Sequence, residues 1–122
     1  MRWLVAESFL LLLWTDLLML TKGLPAVHAC VRHRSICRAT RLKTEAICRS
    51  MDIACVFYPK QVLCLQRSAS TAILLRRHGI PAEMVIGAQM LPFKSHAWVE
   101  VGGVVVSDKP YMREIYRELE RC

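Results

Sequence analysis

Apolar positions recur at helical spacing over residues 3–21 and, less cleanly, over 24–55, with a break around Arg38 to Lys43. Tyr58, Pro59 and Lys60 punctuate that pattern, because the residue before a proline is biased away from the helical region. From Cys64 a further helix is expected to run to about His78. Arg76, Arg77 and His78 complement the carboxyl end of its dipole, Gly79 suits a left-handed cap, and Pro81 bars continuation. No Ser, Thr, Asp or Asn immediately precedes its start, so the N–H groups of the first turn need another acceptor.

Past Pro81 the period shortens to that of strands. Glu83 to Gly87, Ser95 to Val101 and Val104 to Ser107 are valine-rich and alternate in part, and Gly102-Gly103 is a hairpin signal. Tyr111 to Arg121 reads as an amphipathic closing helix, with Met112, Ile115 and Leu119 inward and Ser107 or Asp108 able to cap it. Helices first and an antiparallel sheet later define an α+β fold. At 122 residues this is one domain, a helical part over 1–57 and a core over 58–122.

The longest uninterrupted apolar run, Phe9 to Trp14, is six residues, against about 20 for a spanning helix, and Glu7 and Asp16 flank it. Neither a signal peptide nor membrane attachment is expected, and the location expected is the cytoplasm. Glu7 and Asp16 lie about 180° apart on a helical wheel, so this helix has no single polar stripe and is expected to pack against protein around much of its circumference.

Composition narrows the picture further. A hydrophobic fraction of 54% and a mean hydropathy of +0.29 exclude a disordered chain. Seventeen Lys and Arg against ten Asp and Glu give +7. Arg32, Arg34, Arg38, Arg41, Lys43 and Arg49 face only Glu45, a patch that favours an acidic peptide, protein or nucleic acid without choosing among them; a solvated helix face would look the same.

Six cysteines stand at 30, 37, 48, 55, 64 and 122. The intervals among the first four return to one helix face, so Cys30, Cys37, Cys48 and Cys55 read as small apolar core positions rather than a disulfide framework. Without close C-x-x-C or H-x-x-x-H pairs, no metal and no other cofactor is expected, and His28 and His33 read as surface residues. Cys122 is expected to be an exposed, oxidisable thiol.

Cys64 differs from the other cysteines by its place. A helix N-terminus and a nearby imidazolium both favour the thiolate, the nucleophilic form. His96 is the histidine in strand context and Asp108 follows the hairpin, so the chain order supplies nucleophile, general base and orienting carboxylate. A buried cysteine, a half-exposed strand histidine and a capping aspartate would account for the same three residues. Hairpin register bears on the choice. A two-residue Gly102-Gly103 loop pairs Val101 with Val104 and carries Asp108 opposite Ala97, on the face away from His96. A three-residue loop or bulge would set it opposite Trp98 and diagonal to His96. The triad therefore requires irregular pairing at the hairpin, and plain two-residue register would remove Asp108 from it.

Cys64-Leu65-Gln66-Arg67-Ser68, Leu74 to Ala82, Val85-Ile86-Gly87, Pro92 to Val101 and Ser107-Asp108 together resemble the lasso peptide leader peptidases, bacterial members of the transglutaminase-like, papain-related cysteine peptidases. The resemblance covers about residues 58–108, with Gly102-Gly103 where an Asp-Gly turn is more usual. It implies a catalytic triad of Cys64, His96 and Asp108 that removes the leader from a ribosomally made lasso precursor before an ATP-dependent cyclase closes the macrolactam. The backbone N–H of Cys64 or Leu65 is then the first oxyanion donor to consider, with Gln61 as a side-chain candidate. Arg67 and Trp98 are candidates for substrate contact, although tryptophan at such a position more often packs beneath a site. The family commonly works with a small leader-recognition protein, expected here as a separate chain, and the basic segment or the first helix could meet it or the leader. Nucleic acid is not among the partners implied.

Overall fold

The computed structural model describes residues 2–32, 43–59, 62, 64–90, 93–106 and 115–122. Among these residues, four helices, α1 (Arg2–Thr21), α2 (Leu24–Arg32), α3 (Thr44–Phe57) and α4 (Cys64–Arg77), precede a four-stranded antiparallel sheet. Its strands are β1 (Ala82–Met90), β2 (Phe93–Val101), β3 (Val104–Val105) and β4 (Arg117–Arg121), in the order β3-β2-β1-β4. The fold is α+β, as the switch of period at Pro81 requires.

Helix α4 is the central element. Every residue from Ser68 to Arg76 is buried, between α1 and α3 on one side and β1 and β2 on the other. A helix surrounded in this way has to satisfy its own polar groups internally. Ser70 Oγ lies 2.9 Å from Thr15 Oγ1, Gln66 Nε2 donates to the Leu12 carbonyl at 2.9 Å, and Ser68 Oγ donates to the Ala97 carbonyl at 2.9 Å. Between them pack Leu12, Ile47, Met51, Ala72, Ile73, Leu75, Met84 and Val99, each at most 1% exposed. The helix ends as its sequence dictates. Gly79 takes a φ of 82°, and the Ile80 N–H donates back to the Leu75 carbonyl at 3.0 Å.

Arg76 does more than complement a dipole. It is buried, and its Nε donates to the Ala82 carbonyl at 2.8 Å, its Nη2 to the Cys122 carbonyl at 2.7 Å and its Nη1 to the Val31 carbonyl. One guanidinium thereby joins the end of α2, the start of β1 and the residue after β4. Arg77 and His78 turn instead to Glu7 of α1.

Three expectations are corrected. Residues 117–121 form a strand rather than part of a closing helix, and Ile115 and Leu119 are 41% and 65% exposed rather than inward. The reason lies in β1, whose second edge would otherwise leave a row of backbone donors and acceptors unpaired; β4 closes that edge. Cys122 is half-buried against the main core, with its backbone paired to Met84 in both directions, rather than freely exposed. Helix α1 buries Leu4, Ser8, Leu12 and Thr15 but exposes Trp3, Leu10, Leu13, Trp14, Leu17 and Leu20, so it packs on one face only. By length and composition Trp3–Thr21 would suffice to cross a membrane, which the short Phe9 to Trp14 run did not suggest. Here Thr15, Asp16 and Glu7 bind it to α4, to Tyr58 and to Arg77.

The Tyr58 hydroxyl donates to Asp16 Oδ2 at 2.8 Å, and burial, with that carboxylate close by, pushes the phenol up to about 12. A raised phenol favours the neutral form in the folded state. Its contribution to stability is therefore complete below the unfolded value near pH 10 and disappears as pH rises to about 12. Melting temperatures of the wild type and Tyr58→Phe, measured from pH 8 to 12, should differ most at the low end and converge above pH 10.

Candidate active site

Cys64 opens α4 and is exposed. The first turn of that helix contains no acidic residue. His96 lies on β2 opposite Gly87 of β1. Cys64 and His96 line one cavity of about 120 Å³, together with Leu65, Ile86, Ser95 and Ala97. Its walls are mainly apolar.

The two residues reach the cavity from different layers. Met84 and Val99 belong to the core that α4 covers, whereas Val85 and Trp98 form a second cluster with Tyr116 on the opposite face of the sheet. His96 follows the parity of Trp98 and stacks against it, ring centroids 6.4 Å apart at 23°, and against Tyr116, 5.4 Å apart at 24°. Trp98, considered for substrate contact, is 1% exposed and packs beneath the histidine instead. Its Nε1 donates to Glu100 Oε2 at 2.8 Å. Glu100 is fully buried, and its Oε1 accepts from Arg121 Nη2 at 3.0 Å. Hydrogen bonds to Glu118 and Glu100 hold the Arg121 pKa above its ordinary value, with burial partly opposing them.

Arg67, the other candidate for substrate contact, is ion-paired with Asp52 of α3. Leu65 lines the cavity, and its N–H lies in the first helical turn, where no intrahelical acceptor is available. Gln61 and Asp108 lie outside the described residues. The hairpin that precedes Asp108 does not have the irregular pairing the triad argument requires. Val101 pairs with Val104 and Glu100 with Val105, and the Val106 N–H donates to the Val99 carbonyl at 3.0 Å. Gly102 and Gly103 both take positive φ, 58° and 83°, the combination that closes a two-residue turn and matches strand twist. This is the plain two-residue register on which the geometric case for Asp108 does not stand, and its assignment rests on resemblance.

Sequence reasoning missed Gly87, Glu100, Tyr116 and Arg121. Alternation along His96-Ala97-Trp98-Val99-Glu100 could have placed Glu100 beside the histidine. Tyr116 and Arg121 carried no such signal once their segment had been read as helix.

Cys48, Cys55, Cys64 and Cys122 are free thiols, and among the described residues no cluster of side chains could hold a metal. Burial, reinforced by Asp52 and partly offset by Arg67, pushes Cys48 up to about 11; burial also raises Cys55. At pH 8 the thiolate fraction of Cys48 is about a hundredfold below that of an ordinary thiol. Brief iodoacetamide treatment followed by peptide mapping should therefore label Cys64 first and Cys48 last of these four.

A helix that opens on a cysteine, packed on an antiparallel sheet that brings a histidine to the same cavity, fits the papain-related acyl-transfer proteins that the sequence resembles. The model of the transglutaminase-like superfamily matches residues 9–121, and the chain belongs to that superfamily. A stretch of 51 residues is 47% identical to the microcin J25-processing protein McjB of Escherichia coli, covering 42% of this chain and 24% of that protein. The matched stretch thus spans about a quarter of that relative's length. No solved structure matches.

Proposed function

We propose that this protein is a cysteine endopeptidase that removes the leader from a ribosomally made lasso precursor before the macrolactam is closed. The observation that carries the proposal is the shared cavity: Cys64, exposed at a helix N-terminus, and His96 are lining residues of the same mainly apolar pocket. The name of the microcin-processing relative supports the choice of a peptide substrate. In the reaction, His96 takes the Cys64 proton and the thiolate attacks the carbonyl carbon of the leader–core bond. The N–H groups of Cys64 and Leu65, with Gln61 as a side-chain candidate, receive the developing oxyanion. Collapse of the tetrahedral species breaks the C–N bond, and His96 returns the proton to the departing amine of the core. Water activated by His96 then releases the leader carboxylate and restores the thiol. Asp108 is the carboxylate proposed to orient the imidazole, on resemblance rather than register.

The proposed setting is the cytoplasm, with the precursor leader, a separate leader-recognition protein and an ATP-dependent cyclase as partners. Incubation with a lasso precursor, with and without a primary amine, tests the reaction by mass. Leader acid plus free core is the expected product. A leader–amine adduct would mean transfer instead, and intact precursor in the presence of the recognition protein would reject both.

A further inference from the structure

We propose that the carboxy-terminal strand positions the catalytic imidazole, with Tyr116 as the residue that holds the ring of His96; this rests on the peptidase reading above. The strand is built for the task by a single irregularity. Along β1 and β4 the pairs are Val85↔Arg121 and Ile86↔Glu120, then Gly87↔Glu118 and Ala88↔Arg117, so one residue of β4, Leu119, is left out of the ladder. In a regular strand, positions 116 and 121 point to opposite faces, being an odd number apart. The skipped residue reverses that parity and brings both onto the face of Val85, Gly87, His96 and Trp98. The ring contacts agree: Tyr116 lies 5.4 Å from His96 and 6.2 Å from Trp98.

Each end of this short segment then has a distinct part. Arg121 grips the buried carboxylate of Glu100, whose second oxygen takes the indole N–H, so Trp98 is fixed from below. Tyr116 stacks on the imidazole at 24°, which fixes the plane of the ring that must meet Cys64. Gly87 makes the approach possible. A Cβ there would stand 2.7 and 2.8 Å from the Trp98 ring and 2.9 Å from the Tyr116 Cβ, closer than packed atoms allow. Ring orientation governs a proton transfer steeply, since a displacement near 1 Å can cost ~100-fold in rate.

The test compares Tyr116→Phe, which keeps the aromatic face, with Tyr116→Leu, which keeps apolar cover without it. Expected is near-wild-type cleavage by the phenylalanine variant. The leucine variant should show a kcat lowered about 10- to 100-fold with KM within about twofold, the split that marks loss of transition-state geometry rather than of binding. A second readout is independent of the substrate: the imidazole C–H resonances of His96 should leave their ring-current-shifted positions in Tyr116→Leu and keep them in Tyr116→Phe. Wild-type kcat in folded Tyr116→Leu, or equal losses in both variants, would overturn the positioning role. Should the wild type cleave no precursor at all, the peptidase reading fails on its own. The resonances still decide whether Tyr116 holds the ring, and unchanged His96 signals in the leucine variant would reject it.

Discussion

Cys64→Ala should lower leader cleavage by ~1000-fold or more while leaving leader binding and melting temperature near wild type. The large kinetic effect follows from covalent catalysis. Without sulfur no acyl-enzyme forms, and the imidazole and the helix N-terminus have no nucleophile to serve. The small structural effect follows from position: Cys64 is exposed and opens a helix, where alanine is a good helix former. His96→Ala should cost nearly as much alone, and the double variant little more, because the two act on one proton. Cleavage is read by mass spectrometry of the released core, binding by leader-peptide titration. Wild-type cleavage with Cys64→Ala would show that this thiol is not the nucleophile, the outcome expected if the protein only binds the leader and another protein cleaves it.

Arg76→Met should be the costliest change to stability away from the catalytic residues, about 3 kcal/mol, or a melting temperature lowered by roughly 10 °C. Methionine replaces the aliphatic stem but none of the three donors, and the carbonyls of Val31, Ala82 and Cys122 lose a buried partner. Arg76→Lys should recover only part of the loss, since one ammonium cannot reach three divergent carbonyls as a planar guanidinium does. Urea denaturation of both variants checks this. A Met variant within about 0.5 kcal/mol of wild type would show that water replaces the guanidinium without cost.

How much of this was readable beforehand depended on whether the cause was local. The end of α4 followed from Arg77, Gly79 and Pro81, and β1 and β2 from their β-branched and aromatic residues, because cap and strand preferences act within a few residues. Cys64 at the mouth of a helix and His96 on a strand were legible for the same reason. The segment over 117–121 was not. Its helical spacing of Ile115 and Leu119 is genuine, but the unpaired edge of β1, thirty residues earlier in the chain, decided its conformation. Nor could any local rule show that Arg76 would leave its own helix end for three distant carbonyls, or that Glu100 would be buried and matched by Arg121. The hairpin shows the reverse failure. Two glycines with positive φ are the plain local expectation, and the irregular pairing expected of them was asked for by the mechanism, not by the sequence.

Gly87 carries a further meaning for comparisons among related chains. The Trp98 ring and the Tyr116 Cβ occupy the volume its missing side chain leaves open, so the three positions share one fixed quantity of space. A relative with alanine or serine at position 87 should have traded Trp98 or Tyr116 for something slimmer, and paired substitution across these sites is the evolutionary signature to look for.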